Sequence, residues 1–114
     1  MDAARAIADL VDVSPQVRAV VIVGPEGGVV GTNAAPELAD RLRAGAHELL
    51  QIADASRPEP VAQLEVATTT GSVFVVRDGE RVIAATTSPE PTVGLVFYDL
   101  KSCVRSLDPA AEAP

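Results

Sequence analysis

Three short apolar runs constrain the fold of this chain more than any other feature. They are AVVIV at 19–23, VFVV at 73–76 and VIAA at 82–85. Neighbouring residues of a strand point to opposite faces of the sheet, so a strand that is apolar throughout must be covered on both faces. We therefore expect these three strands at the centre of a sheet that lies between two layers of helices.

The remaining elements follow from apolar periodicity and from turn residues. Helices are predicted at 2–13, 36–56 and 92–107. Strands are predicted at 17–23, 29–33, 61–69, 72–77 and 81–87. With 114 residues, of which 47% are hydrophobic, the chain can form one core. We expect a single domain over 1–108 and a flexible tail over 109–114.

Two of the five strands are expected at the edges of the sheet. In the third strand, Leu64, Val66 and Thr68 alternate with Gln63 and Glu65, as in a strand with one exposed face. The second strand is short and forms the other edge. The prediction is an α/β (α+β) fold: a three-layer α-β-α sandwich around a mainly antiparallel sheet of order 2-1-5-4-3. The long helix covers one face, and the N- and C-terminal helices cover the other.

The glycine cluster GPEGGVVG at 24–31 raises the question of a phosphate-binding loop. A P-loop needs a lysine and a following helix, whereas here there is no nearby lysine and a strand follows Gly28. A dinucleotide fingerprint would need glycine where Glu26 stands. The cluster is therefore interpreted as a hairpin bend, with Pro25 at its entry and positive φ at Gly27 and Gly28.

The residues that carry catalytic chemistry are few. His47 is the only histidine and falls on the polar face of its helix, while Cys103 falls on an apolar face. Asp9 and Asp12 are interpreted as a solvated pair. One histidine and one cysteine cannot build a zinc site. We expect no intrinsic enzymatic activity, no cofactor and no metal.

Charge excludes further classes of partner. The net charge is −7 and Lys101 is the only lysine, so no cationic cluster is available for nucleic acid or for an anionic membrane. No apolar stretch is long enough to span a bilayer, and the first residues do not read as a signal peptide. A cytoplasmic location is expected.

The order of these segments resembles the Roadblock / dynein light chain family, in particular its short bacterial members. The resemblance is carried by VVIVGPEGGVVGTN at 20–33 and by LEVATTTGSVFVVRDGERVIAATTSPEPTVGLVFYDLKSCVRSL at 64–107, with a long helix rich in small residues between them. It covers nearly the whole chain. Its features are a pattern and an order of elements, and none of them is a catalytic signature.

The resemblance implies a homodimer in which two sheets join edge to edge and the long helices pack together. The exposed edge strand and the small-residue flank of the long helix fit that arrangement. The residues expected at this interface are Ala39, Ala46, Leu50, Ala53, Gln63, Glu65 and Ala67.

The resemblance also implies a partner, a small Ras-like GTPase, for which the dimer would be a scaffold or a non-enzymatic regulator. The polar residues expected at that contact are Asp40, Arg43, His47, Gln51 and Arg57. Two alternatives stay open at this point: a dimeric interaction module without a GTPase partner, and a small-ligand sensor. Against the sensor, the central strands carry almost no polar group that could orient a ligand.

Overall fold

The structure is a computed structural model that describes residues 1–108. Its central strands are covered on both faces by helices. The elements are α1 (Ala3–Val13), β1 (Val17–Val23), β2 (Val29–Thr32), α2 (Pro36–Ala55), β3 (Gln63–Thr68), β4 (Gly71–Asp78), β5 (Arg81–Thr87) and α3 (Val93–Arg105). The strands form one antiparallel sheet of order β2-β1-β5-β4-β3, which confirms the predicted fold and strand order. The tail expected at 109–114 lies outside the described residues.

The sheet separates two apolar cores, and β4 contributes to both because its side chains alternate. Phe74 and Val76 enter the core beneath α1 and α3, whereas Val75 enters the core beneath α2. All three are almost completely buried. In the α1/α3 layer, the rings of Phe74 and Phe97 meet edge to face with centroids 4.9 Å apart.

The orientation of α2 on the sheet differs from the expected one. Ala39, Ala46 and Leu50, expected to face a second copy of the chain, pack instead against the sheet and are at most 5% exposed. Leu38 and Ile52, on the neighbouring leucine-rich stripe, are 44% and 61% exposed. The apolar arc of α2 is wider than one sheet contact, and its small residues let the helix axis approach the strands closely.

The GTN segment at 31–33 extends the pairing between β2 and β1. The Asn33 side chain accepts a hydrogen bond from the Val20 backbone N–H (2.8 Å) and donates one to the Arg18 carbonyl (2.8 Å), so it continues the ladder beyond the last residue of β2. A Cβ on Gly31 would lie 2.6 Å from the Cβ of Ala3, so α1 packs directly on this strand.

The β1–β2 bend lies where the glycine cluster predicts it, but only one of the two glycines expected to have positive φ does so. Gly27 has φ +87°, as expected, but Gly28 does not adopt positive φ. In the β3–β4 turn, Gly71 already pairs with Thr68 and lies within the strand. A Cβ there would collide with the carbonyl oxygen of Thr87, which explains the glycine.

Candidate protein interaction surface

No catalytic centre is evident in the described part of the chain. Within residues 1–108, no group of three His, Cys, Asp or Glu side chains is placed to hold a metal ion. Cys103 is buried, with its Sγ 3.5 Å from the Ala6 carbonyl oxygen. Burial, with a further contribution from the charge of Asp9, raises the pKa of the Cys103 thiol to about 11, so the thiol stays protonated near neutral pH. No helix of residues 1–108 has both the length and the apolar character that crossing a membrane requires.

The α2 side of the sheet carries an apolar surface that no described element covers fully. We call it the α2 patch, and it consists of Leu38, Gly45, Leu49 and Ile52, spaced along one stripe of the helix. Leu38 and Ile52 are exposed, and Leu49 is half-buried. With Ala39, Ala46 and Leu50 buried against the sheet, this stripe is the part of the apolar arc of α2 that remains available for a partner.

The edge strand β3 extends the same surface. Leu64 pairs with Val75, whose side chain faces α2, so Leu64 and Val66 lie on the α2 side of the sheet. Val66 is 38% exposed, because α2 packs mainly over β1, β2 and β5. No strand within residues 1–108 pairs with the outer edge of β3, so its backbone is open to pairing with another chain.

The structure places the strand residues expected at a dimer interface on the opposite side of β3. Glu65 pairs with Phe74 and Gln63 with Val76, so these side chains and that of Ala67 point toward the α1/α3 layer. Gln63 and Ala67 are exposed and Glu65 is half-buried. On α2, Ala53 is half-buried next to the α2 patch. A role for these four residues in a dimer stays a prediction.

Four of the polar residues expected at a partner contact lie on the outer surface of α2. Asp40, His47 and Gln51 are exposed, and Arg43 is half-buried. Nε and Nη2 of Arg43 donate to the same Asp40 oxygen, at 3.2 and 2.9 Å. This ion pair orients the guanidinium along the helix, although an exposed pair one turn apart adds little stability.

Two of these residues line a groove that sequence reasoning did not anticipate. Arg43 and His47 form one wall of a groove of about 270 Å³, and Glu26 and Gly27 of the β1–β2 turn lie across from them. Its floor is apolar and includes Val82 of β5. Glu26 is 17 residues before Arg43 in the chain, so only the fold brings the turn and the helix together.

Arg57 lies in a different place. It is exposed in the loop after α2 and lines a separate groove of about 470 Å³, together with Pro58 and Gln63. That groove adjoins the open edge of β3. Arg57 therefore belongs with the edge strand and not with the Arg43–His47 groove.

An ion pair and a backbone hydrogen bond, both made by Asp54, hold the C-terminal end of α2 in position. Asp54 accepts hydrogen bonds from the Arg77 guanidinium (2.8 Å) and from the Val61 backbone N–H (2.8 Å). These bonds hold the pKa of Asp54 below its usual range. The Val61 N–H is thereby bound two residues before β3 begins at Gln63.

Solved structures with a similar fold exist for nearly the whole length of this chain. A Roadblock/LC7 domain from Streptomyces avermitilis superimposes with a TM-score of 0.81 over 93% of this chain and 94% of that one, at 21% identity. This chain has the Roadblock fold. No family model matches the sequence, and a search of curated proteins finds no match.

Two further structures similar to this chain are of MglB proteins. The gliding protein MglB from Thermus thermophilus matches with a TM-score of 0.72 at 15% identity, over 98% of this chain and 90% of that one. A structure described as MglB with a tetrameric arrangement also has a TM-score of 0.72 at 15% identity, over 96% of this chain and 88% of the other. At these identities the similarity establishes the Roadblock fold and leaves partners to be argued separately.

Proposed function

We propose that this protein is a non-enzymatic homodimeric regulator or scaffold, acting in the cytoplasm, that binds a small Ras-like GTPase and modulates its nucleotide cycle or localisation. The observation that carries the proposal is the Roadblock fold combined with the surface on the α2 side of the sheet. That side of the sheet carries an exposed apolar stripe on one flank of α2 and a row of polar side chains on the other. The GTPase itself is the partner implied by the family that the sequence resembles.

Self-association is supported by the α2 patch and the adjacent edge of β3. Leu38 and Ile52 are large apolar side chains that lie on one stripe of a helix and are exposed to solvent. A second copy related by a two-fold axis would cover this stripe with its own, since the same patch meets itself in such an interface. Pairing of the two β3 edges would satisfy the backbone groups that are open in the single chain.

The polar row on α2 is the proposed contact for the GTPase. Two helices paired about a two-fold axis present one continuous surface, which a single asymmetric partner can bridge. In that surface, Arg43 and His47 contribute donors beside an apolar groove that can receive a partner side chain. Glu26, on the opposite wall, adds an acceptor to the same contact.

The proposed mechanism of regulation is ordering of the GTPase's own switch segments. An arginine finger stabilises the transition state by reaching into the GTPase active site, usually from a mobile loop. Arg43 is held by Asp40 on a helix, which suits docking better than insertion. Arg57 lies in the loop after α2, beside the edge strand β3, so it is the residue with which the arginine-finger mechanism can be tested.

The test is a pull-down and a GTPase assay with the small GTPase encoded next to this gene, in its GDP and GTP states. The double variant Arg43→Ala/His47→Ala is expected to weaken binding, whereas Arg105→Ala on α3 serves as the matched control. If Arg57→Ala abolishes stimulation without affecting binding, the finger mechanism replaces the ordering mechanism. Absence of binding in both nucleotide states would refute the GTPase partner and leave a dimeric interaction module.

A further inference from the structure

A second groove lies on the side of the sheet opposite α2, between α1 and α3. Its volume is about 380 Å³, and its apolar lining includes Ala6, Leu10 and Val13 of α1 and Tyr98 of α3. Val13 and Tyr98 are each 68% exposed, the highest values among the large hydrophobic side chains of residues 1–108. Large apolar side chains that flank a groove between two helices are typical of a docking surface for a third helix.

The groove is acidic as well as apolar. Asp9 of α1 and Asp99 of α3 line it, and no lysine or arginine is among its lining residues. The Met1 ammonium group near one end already forms an ion pair with Asp108 at 2.7 Å. Cys103 also lines this groove, and burial together with the nearby charge of Asp9 raises the pKa of its thiol.

One carboxylate oxygen in this groove lacks a donor. Oδ2 of Asp99 is shielded from solvent and receives no hydrogen bond from residues 1–108. A buried charged oxygen without a donor is costly, because it has lost water and gained nothing in exchange. Asp99 therefore places negative charge close to the groove, where a cationic side chain bound in the groove would offset it.

We propose that the α1/α3 groove binds a basic amphipathic helix of a partner protein. The apolar face of that helix packs on Val13 and Tyr98, and a lysine or arginine on its flank lies beside the carboxylates of Asp9 and Asp99. The 11 residues of α1 span about 16 Å, so the docking segment of the partner is about three helical turns. The bound helix lies over α1 and α3.

Charge favours this occupant over a second copy of the same chain. Two copies joined through this groove would bring Asp9 and Asp99 of one against the same residues of the other, and like charges in a desolvated contact oppose association. The net charge of −7 also raises the rate of encounter with a cationic segment. The site lies across the sheet from the α2 patch, so both surfaces can be occupied at once, and the proposal does not depend on the proposed GTPase contact.

The experiment titrates the full chain, labelled with ¹⁵N, with an acetylated and amidated leucine–lysine peptide of about 15 residues whose leucines recur at i, i+3, i+4 and i+7. One control peptide has the same composition in scrambled order. A second has glutamate in place of lysine. The protein variants are Asp99→Asn and Tyr98→Ala, with Asp40→Asn on α2 as the matched loss of one exposed charge.

Saturable binding of the amphipathic basic peptide, with shifts confined to α1 and α3, is the expected result. Asp99→Asn is expected to raise Kd about fivefold and Tyr98→Ala about tenfold, with Asp40→Asn within a factor of about two. Thermal melts check that each variant is folded. Tyr98→Ala is expected to fold, because Tyr98 is 68% exposed. Equal binding of either control peptide, an equal loss in Asp40→Asn, shifts on α2, or no saturable binding would each overturn the proposal.

Discussion

Replacing Ile52 with alanine distinguishes the surface of α2 that is open to a partner from the surface already packed on the sheet. Ile52 is 61% exposed in the single chain, so its truncation is expected to cost the fold little. Complete burial of an isoleucine side chain contributes about 1.5–3 kcal/mol, so covering the exposed fraction contributes about 1–2 kcal/mol. A two-fold interface contains the residue twice, so the dimer is expected to lose about 2–4 kcal/mol and its Kd to rise roughly 30- to 900-fold.

Sedimentation equilibrium over a range of concentrations measures this change in Kd. Leu95→Ala is the matched control, because Leu95 is 48% exposed on α3, across the sheet from α2. By contrast, Ala46→Arg places a charge where the side chain is 1% exposed beneath the sheet, so it is expected to lower the melting temperature of the chain itself. A monomeric wild-type chain, an unchanged Kd in Ile52→Ala, or an equal change in the control would refute the assignment.

Three further predictions concern stability and reactivity. Gly71→Ala is expected to lower stability by about 1–3 kcal/mol in chemical denaturation, because its Cβ would collide with the neighbouring strand, whereas Gly94→Ala in open space is expected to cause no loss; equal stabilities would contradict the steric account. Asp54→Asn is expected to lower the melting temperature at pH 7: since contact with Arg77 lowers the folded-state pKa of Asp54, its contribution is complete above pH about 4 and is lost as pH falls through the lowered value. A difference between wild type and Asp54→Asn that persists in strong acid would contradict this linkage. Cys103, with a pKa of about 11, is expected to react with iodoacetamide at pH 8 far more slowly in the folded chain than in urea, as followed by mass spectrometry, and equal rates would show that the thiol is accessible.

The strand order was predictable because burial leaves a direct trace in sequence. Val75 and its neighbours are apolar on both sides, which only a central strand of a covered sheet requires, and the alternation around Glu65 marks an edge. The β1–β2 hairpin was predictable because a glycine, Gly27, stands where the bend needs positive φ. Each of these signals is contained within a few consecutive residues.

The candidate surface was less predictable, because it is assembled from segments far apart in the chain. The apolar arc of α2 includes both the alanine flank and the leucine stripe, and periodicity alone does not say which one meets the sheet. The bond between Asp54 and Arg77 spans 23 residues, and nothing local to either residue indicates it. The same holds for Glu26 beside Arg43, since a turn and a helix meet there only in the folded chain.

The two edges of the sheet differ in a way that limits how far edge pairing can propagate. β3 is six residues long and β2 is four, and Asn33 continues the pairing with β1 where β2 ends. Joining two chains through β3 would leave a β2 edge at each end of the combined sheet, and short edge strands are poor templates for further pairing. Growth by this route would therefore end at a closed pair, so that an edge open to one partner chain would not lead to a fibre.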